Sequence, residues 1–184
     1  MKKSAGILVY RKINVKPEVL LVHPGGPFFK NKDASAWTIP KGEFDDDEDA
    51  FDAARREFLE ETGFEIIGNY IQLSPVKQNG GKWVHAWAVE CDLDADKICS
   101  NTFTMEWPPK SGKKQDFPEI DKAAWFTIEQ AREKILNGQI PILEELVATV
   151  MPFNCPAHGS GFITGGKVIN RLSQSDLKKI EIKE

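Results

Sequence analysis

Between Gly42 and Phe64 the chain reads GEFDDDEDAFDAARREFLEETGF, and no other stretch restricts the fold so tightly. Asp47 or Asp49 can cap a helix here, acids crowd its first turn, Ala, Arg and Glu fill its body, and Gly63 stops it. The sequence therefore predicts a helix over Asp49–Thr62. At about 100° per residue, Glu57, Glu60 and Glu61 project within one arc of about 100°. Three like charges on one arc destabilise a bare helix. They become favourable when a hard divalent cation sits among them, because Mg²⁺ prefers carboxylate oxygens and keeps several waters. Phe51, Ala54 and Phe58 fall on the adjoining arc and can anchor the helix to a core. Arg56 can pair with Glu48 and hold the preceding loop. Pro40-Lys41-Gly42 bends the chain so that its carbonyls face the same place. A Glu-rich helix is ordinarily only a solvated face, so the case rests on the complete spacing.

The bulk numbers narrow the setting. With 184 residues, 41% hydrophobic and 28% charged, the chain suits one globular domain. A net charge of −4 argues against a nucleic-acid-binding module, which would carry a basic surplus. It does not exclude a small phosphorylated ligand held through metal ions. Cys91, Cys99 and Cys155 are scattered, suiting a reducing compartment. His23, His85 and His158 show no zinc-ligand spacing, and His23 and His85 read as structural. The apolar run Ala5–Tyr10 stops at Arg11-Lys12, short of a secretory signal, and no run could span a membrane. The expected location is cytoplasmic.

Along the chain, Ser4–Tyr10, Glu18–His23, Trp37–Ile39, Phe64–Leu73, Lys82–Cys91 and Ala123–Phe126 read as strands. Thr127 with Gln130 forms a capping box opening a second helix, and Pro141 opens a third that runs to about Met151. Pro24–Ala36 is a loop by its punctuation, and Asp92–Asp116, polar and broken by Pro108-Pro109 and Gly112, is expected to be a long loop. The texture changes at Pro152. The expected organisation is one domain over 1–151 and a C-terminal extension over 152–184, either an appended hairpin or a loosely held terminus.

Position by position, Gly42, Glu48, Arg56, Glu57, Phe58, Glu60, Glu61, Gly63 and Phe64 match the box G-x5-E-x7-R-E-U-x-E-E-x-G-U, in which U is bulky and apolar. The chain thus resembles the Nudix (MutT-like) hydrolases over roughly Ser4–Met151, with SAGILVYR, VLLVHPGG, WTIPKGE and EIDKAAWF also similar and in the same order. The resemblance implies an α/β fold, an α/β/α sandwich with a mixed sheet between helices. It implies hydrolysis of a diphosphate linkage in a small nucleoside diphosphate-linked substrate, with Mg²⁺ or Mn²⁺. Glu57, Glu60 and Glu61 become metal ligands, helped by the Lys41 or Gly42 carbonyl, with Arg56 and Glu48 orienting them. Either a box Glu, such as Glu60, or a later carboxylate takes the proton from water; Glu119 is the candidate for the later one, and Asp116 and Asp121 are alternatives.

Pro40-Lys41-Gly42 and the strand from Lys82 to Trp87 resemble the diadenosine tetraphosphate hydrolases. On that likeness Lys41 and Lys82 would meet phosphate, while Trp83, Trp87, Phe28 and Phe29 are candidates to stack a base. Hydrolysis of oxidised nucleoside triphosphates, nucleotide sugars or ADP-ribose remains open. A non-catalytic nucleotide sensor is disfavoured by the whole box and by the lack of any helix-turn-helix partner.

Overall fold

A computed structural model describes residues 2–78, 80–151 and 167–170. The centre of the molecule is strand β1 (Lys3–Ile13), which pairs antiparallel with β2 (Lys16–Pro24) and with the short β3 (Lys41–Glu43). It pairs parallel with β6 (Trp83–Glu90), whose other neighbour is β5 (Tyr70–Lys77). Strand β9 (Ile120–Thr127) closes the sheet against β2, giving the order β5-β6-β1-β2-β9 with β3 branching from β1. The sheet is mixed, and helices cover both faces.

Helix α1 (Ala50–Thr62) lies on one face, and α2 (Ile128–Lys134) with α3 (Ile140–Val150) lies on the other. This explains why β1 reads as an unbroken apolar run instead of alternating: a strand covered on both faces has no solvent side. Ala5, Ile7 and Val9 share a core cluster with Ala53, Ala54 and Phe58 of α1, while Leu8 and Tyr10 share the opposite one with Ile142, Leu143 and Leu146 of α3. Helix α1 starts at Asp49, whose carboxylate accepts from the Phe51 and Asp52 amides, and ends at Gly63 in the left-handed conformation at φ 74°. The Thr127–Gln130 capping box is present on α2.

Several expectations need correcting. Trp37–Ile39 makes only isolated bridges, and the true strand follows it as β3. Phe64–Leu73 is interrupted at Gly68-Asn69, leaving β4 (Phe64–Ile67) separate from β5. Asp92–Asp116 is not one long loop. After a short 3₁₀ turn at Ala95–Lys97 it rises as the first strand of a hairpin, β7 (Thr102–Glu106) with β8 (Lys114–Pro118). From the extension, β10 (Lys167–Asn170) pairs antiparallel with β4; residues 152–166 and 171–184 lie outside those described.

Phe58 joins α1 to the sheet and is 1% exposed. Phe58→Ala is expected to cost about 3–5 kcal/mol through lost burial and the cavity left behind, measured by urea denaturation of both proteins.

Candidate active site

The acidic face of α1 is organised by one guanidinium. Arg56 binds both oxygens of Glu48, at 2.8 and 2.9 Å, in a bidentate fork. Its Nη1 donates to Glu57 at 2.6 Å and reaches Glu60 at 3.4 Å. Arg56 thereby clamps the loop before the helix to the helix itself and offsets the crowding of acids. The contact with Glu48 holds that carboxyl below the usual range.

Lys41 and Gly42 of β3 pass directly over this face. The Lys41 amide donates to Glu61 at 2.8 Å. A methyl group at Gly42 would fall 1.8 Å from a Glu57 oxygen, so the residue must be glycine for the carboxylate to lie there. Strand pairing sets this approach: Gly42 sits opposite Ala5 of β1, and Lys41 opposite Gly6. Burial lowers the Lys41 ammonium pKa, against the pull of Glu61, Glu57 and Glu43.

The third wall comes from the segment between β8 and β9. The Glu119 carbonyl accepts from the Gly25 amide at 2.8 Å, its own amide donates to Asn101, and the Asn101 amide in turn donates to the Glu60 carbonyl at 3.2 Å. These bonds bring Glu119 beside the C-terminal half of α1, where its charge adds to those raising Glu57 and Glu61. Burial is the larger cause in both, and it pushes Glu61 up to about 7.

Glu119 is also set apart from its two rivals. Asp116 is engaged by the Thr104 hydroxyl out on the hairpin. Asp121 lies 2.6 Å from Nδ1 of His23, whose Nε2 donates to the Lys32 carbonyl at 2.8 Å. The β2–β9 register slips at this point, from His23 opposite Lys122 to Pro24 opposite Ile120, so Asp121 is the extra residue of a bulge. His23, 1% exposed, therefore plays the structural part expected of it, tying the Pro24–Ala36 loop to the strand that follows Glu119.

The remaining candidates are dispersed. Lys82 pairs with Glu43 at 3.0 Å, at the edge of the site. Trp83 is half-buried at the start of β6. Trp87 belongs to the core under α1, 8% exposed and against Phe51 at 5.3 Å, so its ring is not open for a base to stack on. Its strand is covered on both faces, so alternating aromatics did not imply an open one. Phe28 is 58% exposed, and its ring meets Trp107, a residue the sequence reading passed over. An aromatic beside Pro108-Pro109 in an otherwise polar stretch was the available signal.

Among the described residues, no three His, Cys, Asp or Glu side chains form a ready-made metal cage. The donors at hand still suit a hard divalent cation. They are carboxylate and carbonyl oxygens, Glu57 and Glu61 are half-buried with the charge of Glu119 acting on both, and Mg²⁺ needs few protein ligands because it retains waters.

A mixed sheet between helices, with an Arg-clamped acidic helix under a Lys-Gly strand, is the Nudix architecture. The NUDIX domain family model matches residues 2–146, and the chain belongs to that family. Nudix hydrolase 7 of Arabidopsis thaliana is 39% identical over 159 residues, 86% of this chain and 50% of that protein, so the chain spans about half the length of this curated relative. Among solved structures, a C. elegans Ap4A hydrolase binary complex is similar at a TM-score of 0.51 and 24% identity, covering 83% of this chain and 100% of that one. Shewanella oneidensis NrtR is similar at 0.52 and 15% identity, covering 82% and 64%. Both likenesses are of fold. No helix among the described residues is long and apolar enough to cross a membrane.

The Glu61 shift sets a pH dependence. With Glu61 raised from 4.5 to about 7, the folded state keeps a proton that the unfolded chain has released. The linkage therefore lowers stability as pH rises between those values. Chelator-treated protein denatured by urea at about pH 5 and about pH 8 should lose stability across the interval, and Glu61→Gln should flatten that loss.

Proposed function

We propose that this chain hydrolyses a diphosphate linkage in a nucleoside diphosphate-linked compound, with Mg²⁺ or Mn²⁺ bound at the acidic face of α1. The observation that carries the reading is the convergence of Glu57 and Glu61 with Glu119, a carboxylate from the distant link between β8 and β9, beneath the backbone of Lys41 and Gly42. A solvated acidic helix has no reason to draw in a further negative charge.

Glu57, Glu60, Glu61 and the Gly42 carbonyl would hold the cation. When bound, the cation neutralises the diphosphate and acidifies a water. Arg56 and Glu48 keep the carboxylates in register with the loop. Glu119 accepts a proton from water as the oxygen attacks phosphorus and the bridging P–O bond breaks. Glu60 is the alternative proton acceptor within the box. Lys41 and Lys82 supply positive charge beside the phosphates.

Within this class, Pro40-Lys41-Gly42 favours a dinucleoside polyphosphate, although Lys82 is engaged by Glu43 and Trp87 is removed to the core. The test is a panel of diadenosine tetraphosphate, ADP-ribose, UDP-glucose, GDP-mannose and 8-oxo-dGTP with Mg²⁺, products resolved by chromatography. Wild type is expected to cut at least one. Glu60→Gln and Glu119→Gln are each expected to lose about 10²–10⁴-fold in kcat. If no compound is cut while one raises the melting temperature, the protein is a sensor and the catalytic assignments fail.

A further inference from the structure

Two residues after Glu119 stands a pair that the proposed reaction does not use. His23, at the end of β2, is 1% exposed, and both of its ring nitrogens face oxygen. Nδ1 lies 2.6 Å from the Asp121 carboxylate and Nε2 lies 2.8 Å from the Lys32 carbonyl. Carboxylate and carbonyl oxygens only accept. A neutral imidazole has one N–H and one lone pair, so it can serve one of these oxygens and turns a lone pair on the other. Both contacts together require a second proton, and imidazolium is the weaker acid of the pair, so that proton sits on the ring. His23 and Asp121 therefore form a charge-assisted clasp that holds one exchangeable proton. The Trp37 ring closes it edge-on, centroids 5.2 Å apart, and the Trp37 indole N–H donates to Asp33 at 3.0 Å. The other charged groups near the ring are Lys122 opposite it on β9, Lys32 and Asp33 in the loop, and Lys134 of α2, which binds Asp33.

The clasp sits on the bulge that aims Glu119. His23 lies opposite Lys122 and Pro24 opposite Ile120, which leaves Asp121 out of the ladder. Closing the bulge would set Pro24 against Asp121 and Gly25 against Ile120. A slip of one residue exchanges the two faces of a strand, so Glu119 would turn away from the acidic helix. In the bulged register the Gly25 amide donates to the Glu119 carbonyl at 2.8 Å, the Glu119 amide to Asn101 at 2.9 Å, and the Asn101 amide to Glu60 at 3.2 Å. A Cβ at Gly25 would overlap the Pro118 carbonyl, so the two segments meet there without slack. The Ser100 hydroxyl accepts from the Ile120 amide at 3.0 Å and steadies the segment from its other side.

We propose that His23 and Asp121 are positioning residues for Glu119, locking the bulge while the pair holds its proton. When the proton leaves to solvent at alkaline pH, the ring can serve only one of its two acceptors and the lock opens. The effect on rate rests on the hydrolase reading above; the clasp itself is read without turnover.

Asp121 is the residue to change, because its side chain is 25% exposed and its loss leaves no deep cavity. Asp121→Ala removes the clasp. Asp121→Asn keeps it without an ionisable proton: the amide donates to Nδ1 of a neutral ring, whose Nε2 proton still serves Lys32. In the full chain without substrate, Asp121→Ala is expected to lower the exchange protection of the Gly25, Glu119 and Asn101 amides about 10- to 100-fold, corrected for intrinsic rates. Asp121→Asn should keep that protection as pH rises, while wild type loses it. Nitrogen-15 spectra at neutral pH should show both His23 ring nitrogens protonated in wild type and only Nε2 in Asp121→Asn. On whichever panel compound is cut, Asp121→Ala should lower kcat about 10- to 100-fold with little change in KM. Asp121→Asn should restore kcat and lack the alkaline fall that wild type shows.

The clasp is overturned by a neutral His23 ring in wild type, by unchanged protection in Asp121→Ala, or by an Asp121→Asn that behaves like Asp121→Ala. The two readings fail separately. Protection lost with Asp121→Ala while no panel compound is cut leaves the clasp standing and removes the hydrolase. Hydrolysis whose kcat and pH profile ignore both variants removes the positioning role and leaves the hydrolase.

Discussion

The pairing of Arg56 with Glu48, Glu57 and Glu60 is the interaction on which the site depends. Carboxylates gathered on one helical arc repel, and a helix carrying them would fray or turn them outward to water. A rigid guanidinium with several donors in a fixed fork can satisfy several of them at once, which a lysine ammonium cannot do in the same geometry. The fork also has a mechanical result. It fastens the loop carrying Glu48 to the second turn of α1, so the helix start and the carboxylates move as one piece.

The sheet joins this local arrangement to the elements around it. Strand β1 touches every part of it: β3 hangs on β1 and carries Lys41 and Gly42, α1 packs on β1 through Phe58, and β2 connects β1 to β9. Ala53 and Ala54, both fully buried, let the helix approach the sheet closely. Gly42 then allows the strand to approach the helix's acidic side. Small residues on both sides set the depth of the site.

What could be read in the sequence was what is encoded locally. Helix α1, its caps, the Arg56–Glu48 pairing and the acidic arc all follow from spacing within a single element. The apolar run of β1 signalled burial on both faces. The hairpin was missed because its strands are polar and mostly exposed, lacking the alternation that a half-buried strand shows. Gly68-Asn69 gave a signal for the break between β4 and β5 that the apolar residues around it masked. The bulge at Asp121 has no sequence signature, since it exists only in the register of β9 against β2. Trp87 illustrates the opposite difficulty. An aromatic on an alternating strand fits a ligand surface and a core equally well, and only the position of α1 decides.

The self-contained pairing of β7 with β8 has an evolutionary side. Because no strand of the main sheet borrows a hydrogen bond from this arm, its length and side chains can drift without disturbing the register that holds Lys41, Gly42 and α1 together. The sheet and acidic helix are bound to one another, so a change in one disturbs the other. The arm is held mainly at its root, through Gly25, Pro118 and Asn101. In such a molecule new ligand preferences arise by replacing an outer module while the inner chemistry is inherited intact.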